Sequence, residues 1–283
     1  MIMKRILTIQ DISCFGKCSL TVALPILSAM GVETVILPTA VLSTHTLFKG
    51  FTCKDLSDQL TPITDHWKRE GITFDAIYTG YLGTEKEIDT VIGIINTFRN
   101  GNTLVFVDPA MGDNGKLYPA FNEHYAKKNA DLCAVADISD PNITEAAFLT
   151  GLPYREQYSE GYIKELLLAL AGLGTKMPIL TGVSLSKGKT GAMGYDTEKK
   201  TFFHYQNDRI PAVYHGTGDI FSSVLAGAFV LGIERTEALK IAADYTAQAI
   251  AETLKNPENP WYGVDFEETI PALTEQLKRI RKI

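Results

Sequence analysis

The chain has 283 residues, 45% of them hydrophobic and 21% charged, with a formal net charge of −6 at pH 7. This length and composition are sufficient for a large buried core, and we expect a single domain over residues 1–283. The acidic balance and the scattered lysines and arginines argue against a nucleic-acid partner. No apolar run in the sequence approaches the length of a membrane span, so we expect no membrane partner either.

The four cysteines are too few for a disulfide framework in a chain of this length. Cys14 and Cys18 have no second cysteine pair or histidine near them in the sequence, which disfavours a metal site. The basic pair Lys4-Arg5 precedes an apolar run that is too short for a secretory signal. We therefore expect a reducing, cytoplasmic location.

The first apolar run, Lys4–Gln10, predicts a buried strand whose carboxyl end opens onto a loop. Because ligands of open parallel sheets bind outside the carboxyl ends of the strands, Asp11 and Ser13 are candidate contacts for a small molecule. A turn that ends in an N-cap at Ser19 is compatible with the same residues. The next segment, Leu20–Met30, predicts a mostly buried helix.

A second strand is predicted over Val32–Leu37, followed by the polar stretch Thr39–Thr46, which is suited to lining a pocket. Within that stretch, a lone His45 is more typical of a structural residue than of a catalytic one. The segment Asp55–Glu70 has the apolar spacing of an amphipathic helix.

Phe74–Thr79 predicts a strand that leads into the loop Gly80–Thr84, and a helix begins near Glu85. The glycines of this loop permit close approach of the backbone to a ligand. By its local sequence alone, Tyr81 is more typical of a core residue.

Thr103–Val107 predicts a β-branched strand that runs directly into Asp108 and, five residues later, Asp113. Two carboxylates at the carboxyl end of a strand suit Mg²⁺ and phosphate chemistry, because Mg²⁺ binds through few carboxylates, water and substrate phosphates. The alternative for Asp113 is a turn residue chosen for backbone reasons.

Leu132–Ile138 predicts another strand, followed by Asn142 and Glu145 at the start of a helix that runs through Leu149. Residues three apart lie on one face of a helix, so both side chains can point at one hydrated metal ion. A capping box, with Asn142 as the cap and Glu145 as its partner, is the structural alternative.

Glu156–Ala171 predicts a helix and Met177–Gly182 the strand after it. The run Lys187-Gly188-Lys189-Thr190 resembles a phosphate-binding P-loop, but the interval from Gly182 is one residue too long, so we reject a P-loop. The next two β-rich segments predict a hairpin, Gly191–Tyr195 with Thr201–Tyr205.

Near the carboxyl end of the chain, Gly216-Thr217-Gly218-Asp219 runs directly into an amphipathic helix. The two glycines let successive N–H groups converge on one anion, and the helix adds the positive end of its dipole. Asp219 in the first turn is then an unusual negative charge that suits proton transfer. The local sequence alone equally allows Asp219 or Thr217 to be a helix cap.

Two helices, Arg235–Leu254 and Asp265–Arg281, are predicted to complete the chain. Strands and helices alternate throughout, without an internal repeat, a linker or a G-x-G-x-x-G run after the first strand. This order predicts an α/β fold with a mostly parallel sheet covered on both faces and a hairpin at its edge.

Several motifs resemble one known family over almost the whole chain. Gly216–Asp219 resembles the signature loop of the ribokinase superfamily, and Asn142 with Glu145 resembles its N-x-x-E motif. Three segments resemble pyridoxal and pyridoxamine kinases: Thr44-His45-Thr46, Gly80–Thr84, and Asp108–Asp113 with Ala110 in place of Val. The resemblance implies a ribokinase-like three-layer sandwich and an ATP-dependent kinase that phosphorylates the 5′-hydroxymethyl group of vitamin B6.

The resemblance also implies roles for individual residues. Asp219 would be the base toward the acceptor hydroxyl, and Gly216, Thr217 and Gly218 would form an anion hole. The residues expected to contact the B6 vitamer are Asp11, Ser13, His45, Thr46, Tyr81 and Asp219. The residues expected to contact ATP are Asp108, Asp113, Asn142, Glu145, Thr181, Ser184, Thr217 and Gly218, with Ala242–Thr246 beside the adenine.

Further expectations from the family concern ions and assembly. Asp108 and Glu145 would hold Mg²⁺ largely through water, which suits the preference of this ion for few carboxylates. The family also implies a homodimer, and it leaves open a monovalent cation such as K⁺.

One residue departs from the family pattern. Many pyridoxal kinases carry Ser directly after the Ile-Gln of the first strand, whereas this chain has Asp11. An acid there resembles the hydroxymethylpyrimidine kinases of thiamine biosynthesis, and it also suits the cationic amine of pyridoxamine. Two alternatives therefore stay open: a hydroxymethylpyrimidine kinase, with or without B6 activity, and a catalytically silent B6-binding protein. Retention of Asp219, Asn142 and Glu145 argues against the silent protein.

Overall fold

The computed structural model describes residues 3–258 and 261–281, with the backbone alone at position 281. Over these residues the chain forms eleven strands and nine α-helices. The strands are β1 (Arg5–Ser13), β2 (Glu33–Leu42), β3 (Cys53–Asp55), β4 (Ala76–Thr79), β5 (Leu104–Val107), β6 (Gly112–Asp113), β7 (Lys116–Leu117), β8 (Ile138–Ser139), β9 (Met177–Val183), β10 (Lys189–Asp196) and β11 (Thr201–Asp208).

The helices follow the strands in the alternation that the sequence predicts. They are α1 (Leu20–Ala29), α2 (Ser57–Arg69), α3 (Glu85–Phe98), α4 (Glu123–Ala134), α5 (Ile143–Thr150), α6 (Glu160–Leu173), α7 (Thr217–Val230), α8 (Arg235–Thr253) and α9 (Ile270–Arg281). A 3₁₀ turn at Phe266–Thr269 precedes α9, where the sequence predicted one continuous helix. Among the helices of the described chain, none is long and apolar enough to cross a membrane.

Nine strands form one sheet in the order β11-β10-β9-β8-β5-β4-β1-β2-β3. The six strands from β9 to β2 are mutually parallel. The β10–β11 hairpin extends one side of the sheet in antiparallel fashion, and β3 closes the other. The prediction of a mostly parallel sheet with a hairpin at its edge is therefore confirmed, and the carboxyl ends of the parallel strands meet at one edge.

Two hydrophobic clusters lie on opposite faces of the sheet, because side chains alternate along each strand. In β4, Tyr78 belongs to the cluster under α1, α7, α8 and α9, whereas Ile77 belongs to the cluster under α2, α3, α4 and α6. This arrangement is the three-layer, ribokinase-like α/β sandwich that the resemblance implied.

The first two strands extend further than the sequence predicted. We predicted that β1 ends at Gln10 and β2 at Leu37, but the strands continue to Ser13 and Leu42. The register of the pair shifts between Gln10 and Ile12, and the pairing then resumes beyond Pro38. A bulge accommodates the interruption, since an extra residue there re-aligns the two strands. Asp11 and Ser13 consequently lie in a strand and not in the predicted loop.

The strand predicted over Leu132–Ile138 is wrong. Leu132 belongs to α4, which begins after the N-cap Asn122, and the strand is only the two-residue β8. Leu132 and Cys133 are buried on the inner face of the helix. A short apolar run does not distinguish a buried helix face from a buried strand, which explains the error.

Close contact between α1 and α7 places the amino ends of both helices together. Gly227 in α7 faces α1, and a Cβ there would lie 2.6 Å from Met30 Sδ and 3.2 Å from Leu27 Cδ2. A larger residue at this position would therefore displace the ends of the Met30 and Leu27 side chains and disturb their packing against α7. At their other ends, the Lys17 carbonyl before α1 packs against Gly216 before α7.

We predict that Gly227→Val lowers the free energy of unfolding by about 1–3 kcal/mol, because its methyl groups overpack the contact with α1. Urea denaturation followed by far-ultraviolet circular dichroism measures the change. The matched control is Gly172→Val in α6, where no atom lies within 4 Å of the position that a Cβ would occupy. The control should change stability by less than about 0.5 kcal/mol. Equal effects at both positions would contradict the close packing of α1 on α7.

Candidate active site

A cavity of about 450 Å³ lies at the carboxyl edge of the parallel strands. It is bordered by the segments that follow β5 and β8, by the end of β9, and by the amino ends of α5 and α7. The structure brings together many residues predicted from separate motifs. The predicted site residues that line the cavity are Asp108, Asp113, Asn142, Glu145, Thr181, Gly216, Thr217, Gly218 and Asp219.

The amino end of α7 opens into this cavity without a side-chain cap. Gly216 is the N-cap residue, with a φ of 80°, and no side chain of the described residues caps the first turn by a hydrogen bond. The Thr217 hydroxyl donates instead to the Tyr214 carbonyl at 3.2 Å. The capping alternative for Thr217 and Asp219 is thus absent from the structure, and the free N–H groups with the helix dipole form a site for an anion.

The two glycines of the loop have different physical roles. A Cβ on Gly216 would collide with the Lys17 carbonyl, and its φ lies in the left-handed region, so this position requires glycine on both counts. Gly218 has no atom within 4 Å of its Cβ position. Its missing side chain therefore leaves space inside the cavity.

Asp219 lies in the first turn of α7, partly exposed to the cavity. Burial of its carboxyl group, and then the negative charge of Asp108, raise its pKa to about 8, while the Ser19 backbone N–H lowers it. A carboxyl group with a pKa in this range is a far better proton acceptor than an ordinary aspartate. The local environment therefore suits Asp219 for general-base chemistry.

Three of the other carboxyl groups that line the cavity also have raised pKa values. Burial, and then the charge of Glu145, raise the pKa of Asp108 to about 8, and burial raises the pKa of Glu145 to about 7. Asp140 is 2% exposed, and burial, followed by the charge of Asp108, raises its pKa well above the ordinary value. Like charges held close together in a poorly solvated site oppose one another's ionisation.

Asp140 is a cavity residue that the motifs did not identify. The Ser222 hydroxyl donates to its Oδ2 at 2.6 Å, whereas its buried Oδ1 has no hydrogen-bond partner among the residues that the structure describes. The signal was present in the sequence, because Asp140 follows β8 directly, as Asp108 follows β5. Ser222 and His215, which also line the cavity, were likewise missed.

The carboxylates fit a magnesium ion that is bound together with phosphates. Oxygen donors are the ligands that Mg²⁺ prefers, and the unpartnered Asp140 Oδ1 is a buried acceptor suited to a cation or its water. Within the described residues, no group of three Asp, Glu, His or Cys side chains converges closely enough to hold a metal alone. A site completed by water and substrate phosphates is consistent with both observations.

Asn142 and Glu145 form the capping box that the sequence left as an alternative. The Asn142 side chain accepts from the Glu145 N–H at 3.0 Å, and Glu145 Oε2 accepts from the Asn142 N–H at 2.8 Å. Glu145 Oε1 also accepts from the N–H of Met111 at 3.0 Å. Both residues line the cavity as well, so the capping box is established and the predicted metal and nucleotide role stays a prediction.

The far end of the cavity has an apolar wall. Ala243, Thr246, Ala247 and Ile250 of α8 line it, and the family-derived position of an adenine beside this helix stays a prediction. Thr181 faces the cavity, but Ser184 is not among the lining residues. The Ser184 hydroxyl donates to the Lys189 carbonyl at 2.6 Å and is exposed, so this arrangement does not support its predicted contact with the nucleotide.

Asp11 and Ser13 lie outside the cavity lining. The hydroxyl groups of Ser19 and Ser13 donate to the Asp11 carboxylate at 2.6 Å and 3.3 Å. Asp11 is 5% exposed, and burial raises its pKa. Its charge also raises the pKa of Asp219, which places Asp11 on the Asp219 side of the site.

The other predicted vitamer contacts surround this same region without lining the cavity. Tyr81 is half-buried, with its ring 5.3 Å from that of Phe121. His45 is 1% exposed, and its ring lies 4.3 Å from that of His215 at the cavity wall. Thr46 is exposed. Both His45 and Thr46 belong to residues 43–51, which we call the flap.

The fold and the cavity together define a class of protein. A parallel sheet with its site at the carboxyl edge, a glycine loop that opens a helix amino end to anions, and carboxylates suited to Mg²⁺ and proton transfer characterise a ribokinase-like phosphotransferase. The sequence model of the phosphomethylpyrimidine kinase family matches residues 24–260. The chain belongs to this family.

Similar proteins of known structure agree with this class. The chain is 37% identical to a Bacteroides thetaiotaomicron protein provisionally assigned as a phosphomethylpyrimidine kinase, with a TM-score of 0.93 over 96% of this chain and 94% of the other. An orthorhombic form of that protein, with pyridoxal, gives a TM-score of 0.91. The pyridoxal kinase of Lactobacillus plantarum is 31% identical, with a TM-score of 0.89 over 98% of both chains.

Among curated proteins, the pyridoxine kinase of Bacillus subtilis is 30% identical over 210 residues, which cover 72% of each chain. These relatives confirm the resemblance to vitamin B6 kinases of the ribokinase superfamily that the motifs indicated.

We predict that the ligand-free protein loses stability as the pH rises from 7 to 8.5. Glu145, Asp108 and Asp219 have folded-state pKa values of about 7, 8 and 8. Because these values exceed those of the unfolded chain, the folded state binds more protons than the unfolded state. The free energy of unfolding therefore falls as the pH rises and these groups ionise. Urea denaturation in the presence of a chelator should show a decline of about 2 kcal/mol per pH unit.

The variant that tests this origin is Asp140→Asn, which removes one of the proton-binding carboxyl groups from the cavity and should reduce the slope. The control is Asp58→Asn on the exposed surface of α2, which should leave the slope unchanged. A flat wild-type profile between pH 7 and 8.5, or equal slopes for wild type and Asp140→Asn, would contradict the coupling among the cavity carboxylates.

Proposed function

We propose that this chain is an ATP-dependent kinase that phosphorylates the 5′-hydroxymethyl group of pyridoxal, pyridoxamine or pyridoxine, the salvage route to pyridoxal 5′-phosphate. The observation that carries the proposal is the position of Asp219 in the cavity, beside an uncapped helix amino end. The similarity to pyridoxal and pyridoxine kinases supports the same reaction.

In the proposed reaction, Asp219 hydrogen-bonds the vitamer hydroxyl and accepts its proton. The hydroxyl oxygen forms a bond to the γ-phosphorus of ATP, the bond between that phosphorus and the β-γ bridging oxygen breaks, and ADP leaves. In a loose transition state little negative charge builds on the attacking oxygen, so the proton transfers late. The N–H groups of Gly216, Thr217 and Gly218 then stabilise the charge on the transferred phosphoryl group.

Asp108 and Glu145 are the residues that would hold Mg²⁺, largely through water, and Asp140 adds a third carboxylate beside them. When bound, Mg²⁺ supplies positive charge that neutralises the nucleotide phosphates. The carboxylates of this chain would orient that charge beside the amino end of α7, since Ser222 of this helix donates to Asp140 and Asp108 raises the pKa of Asp219. The apolar wall on α8 then excludes water around the base of the nucleotide.

For the vitamer, we carry forward contacts from Asp11, Ser13, Thr46 and Tyr81, and the family implies a further contact from His45. The serine hydroxyls around Asp11 support an ordering role for its charge, since they hold both carboxylate oxygens in place. An ordered negative charge near Asp219 suits the ammonium group of pyridoxamine, which makes this vitamer a candidate for preferred substrate.

A hydroxymethylpyrimidine kinase is the second candidate, and the family match supports it. The chemistry is the same, because both substrates carry a hydroxymethyl group on a nitrogen heterocycle. Side-by-side ADP release with pyridoxal, pyridoxamine, pyridoxine and hydroxymethylpyrimidine separates the two. Turnover only on the pyrimidine would contradict the B6 assignment, and no turnover on any of the four would indicate a silent binding protein.

We further propose a cytoplasmic homodimer that has neither nucleic acid nor a membrane as partner. Four unpaired cysteines, two of them exposed, support a reducing compartment. The homodimer rests on the family expectation, and light scattering coupled to gel filtration tests it. A requirement for a monovalent cation is tested by replacing K⁺ with Na⁺ in the kinase assay.

We predict that Asp219→Asn lowers kcat for every accepted vitamer by about 10³-fold, because the amide keeps the shape of the side chain but cannot accept the proton. The Kd for ATP, measured by calorimetry, should change by less than about threefold, since the anion site is built from backbone groups. The control is Asp58→Asn in α2, expected to have wild-type kcat. Near-normal turnover of Asp219→Asn would contradict its role as the base.

We also predict that Asp108→Asn raises the Mg²⁺ concentration needed for half-maximal activity by about tenfold, because a carboxylate that orients hydrated Mg²⁺ is lost. The KM for the vitamer should stay near the wild-type value, since Asp108 is placed at the phosphate end. Initial rates of ADP release over a Mg²⁺ titration measure both quantities. An unchanged Mg²⁺ dependence would remove Asp108 from the metal site.

A further inference from the structure

Both ring nitrogens of His45 are occupied by the backbone of the protein. The Leu47 N–H donates to His45 Nδ1 at 3.3 Å, and His45 Nε2 lies 3.2 Å from the Tyr262 carbonyl oxygen. An amide N–H can only donate and a carbonyl can only accept, so the neutral ring carries its proton on Nε2. Burial lowers the pKa of His45, in keeping with this neutral form. No ring nitrogen is left for a vitamer.

His45 therefore joins segments that are far apart in the sequence. Its backbone N–H donates to the Phe15 carbonyl at 3.2 Å, which links the flap to the segment after β1. Its side chain links the flap to Tyr262, which belongs to residues 261–263, here called the Trp261 loop. A Cβ on Gly16 would collide with the imidazole ring, so the segment after β1 also packs directly on it.

Aromatic pairs reinforce the same connection. Phe48 of the flap packs on Trp261 with ring centroids 4.4 Å apart, and Phe15 packs on Tyr262 at 4.8 Å. Such pairs add stability beyond the apolar area that they bury, but they do not fix the relative position of two loops as a directional hydrogen bond does. The bond from His45 to the Tyr262 carbonyl supplies that direction.

The other face of the His45 ring reaches the catalytic loop. The rings of His45 and His215 lie 4.3 Å apart, and His215 both lines the cavity and directly precedes Gly216. Burial, and then the proximity of His45, lower the pKa of His215 to about 4, so both rings are neutral near pH 7 and pack without repulsion. Displacement of His45 therefore removes the support behind the glycine loop.

We propose that His45 is a positioning residue that ties the flap and the Trp261 loop to His215 and the catalytic glycine loop, and that it does not recognise the vitamer through its ring nitrogens. This inference rests on the proposed kinase function. It differs from the family-derived expectation of a direct contact in a way that can be measured. Loss of a positioning residue lowers kcat/KM for every vitamer by the same factor. Loss of a direct contact affects the vitamers differently, according to the ring substituent that the residue touches.

The kinetic test compares two substitutions at one position. His45→Leu removes both side-chain hydrogen bonds, whereas His45→Gln retains an amide that can donate to the Tyr262 carbonyl. We expect His45→Leu to lower kcat/KM for pyridoxal, pyridoxamine and pyridoxine by one common factor of about tenfold, the equivalent of one or two net hydrogen bonds. His45→Gln should recover activity to within about threefold of wild type. The control is His66→Gln on the exposed surface of α2.

A second readout is independent of catalysis. The chain contains two tryptophans, and Trp67→Phe in α2 leaves Trp261 as the sole emitter. In that background, iodide quenching reports the exposure of the Trp261 loop. Quenching should increase in His45→Leu and remain at the starting value in His45→Gln, because only the first variant breaks the bond to Tyr262. Thermal melts verify folding, and if His45→Leu does not fold, His45→Asn, which is too short to reach Tyr262, replaces it.

The possible results separate this inference from the proposed function. An equal loss of kcat/KM for all three vitamers, together with increased quenching of Trp261, supports the positioning role of His45. Full activity of His45→Leu, or losses that differ among vitamers by more than about tenfold with unchanged quenching, would overturn it. If the wild-type protein phosphorylates no vitamer, the proposed function fails. The quenching series still decides whether His45 holds the Trp261 loop, and unchanged quenching would reject that too.

Discussion

The arrangement of negative charge around the amino end of α7 is the constraint on which the site depends. Asp108, Asp140, Glu145 and Asp219 line one cavity with an uncapped helix end. In a poorly solvated space, mutual repulsion and burial raise the pKa values of these groups, and the ligand-free protein accommodates the charge by holding protons. When nucleotide phosphates and a cation bind, the cation can neutralise the carboxylates in place of protons. The helix end and its N–H groups then face the phosphate anion. A site of this kind is prepared for charged substrates at some cost to its own stability.

The fold makes this arrangement possible because it brings backbone segments that are distant in sequence close together. Parallel strands bring the segments after β5 and β8 to the same edge of the sheet, so Asp108 and Asp140 meet although they are distant in sequence. On the other side, the α1–α7 contact at Gly227 brings the Lys17 carbonyl against Gly216. Glycine is required at position 216 because of that carbonyl and the left-handed φ, whereas the absent side chain of Gly218 leaves room for the ligand.

The region proposed for the vitamer is organised by hydrogen bonds that are internal to the protein. Two serine hydroxyls hold Asp11, and backbone groups on two loops occupy both nitrogens of His45. Polar groups that are already satisfied have fixed orientations, so they shape a binding site without rearranging when a ligand enters. This explains how residues that resemble ligand contacts in the sequence have structural partners in the fold. In the proposed complex, the substrate would contact a surface whose geometry is fixed by these internal hydrogen bonds.

The sequence by itself determined the α/β class, the mostly parallel sheet, the glycine loop at a helix amino end and nine of the residues that line the cavity. These features follow from local rules: apolar periodicity, glycine placement, and the convergence of strand ends at one edge. Only the tertiary structure decided that Leu132 lies in a helix, that β1 continues through Ser13 and that Asp140 joins the carboxylates. It also decided that the Ser184 hydroxyl donates to the Lys189 carbonyl. Such outcomes depend on which distant segment packs against each residue, as the bond between His45 and Tyr262 illustrates, and no local pattern encodes a partner more than two hundred positions away.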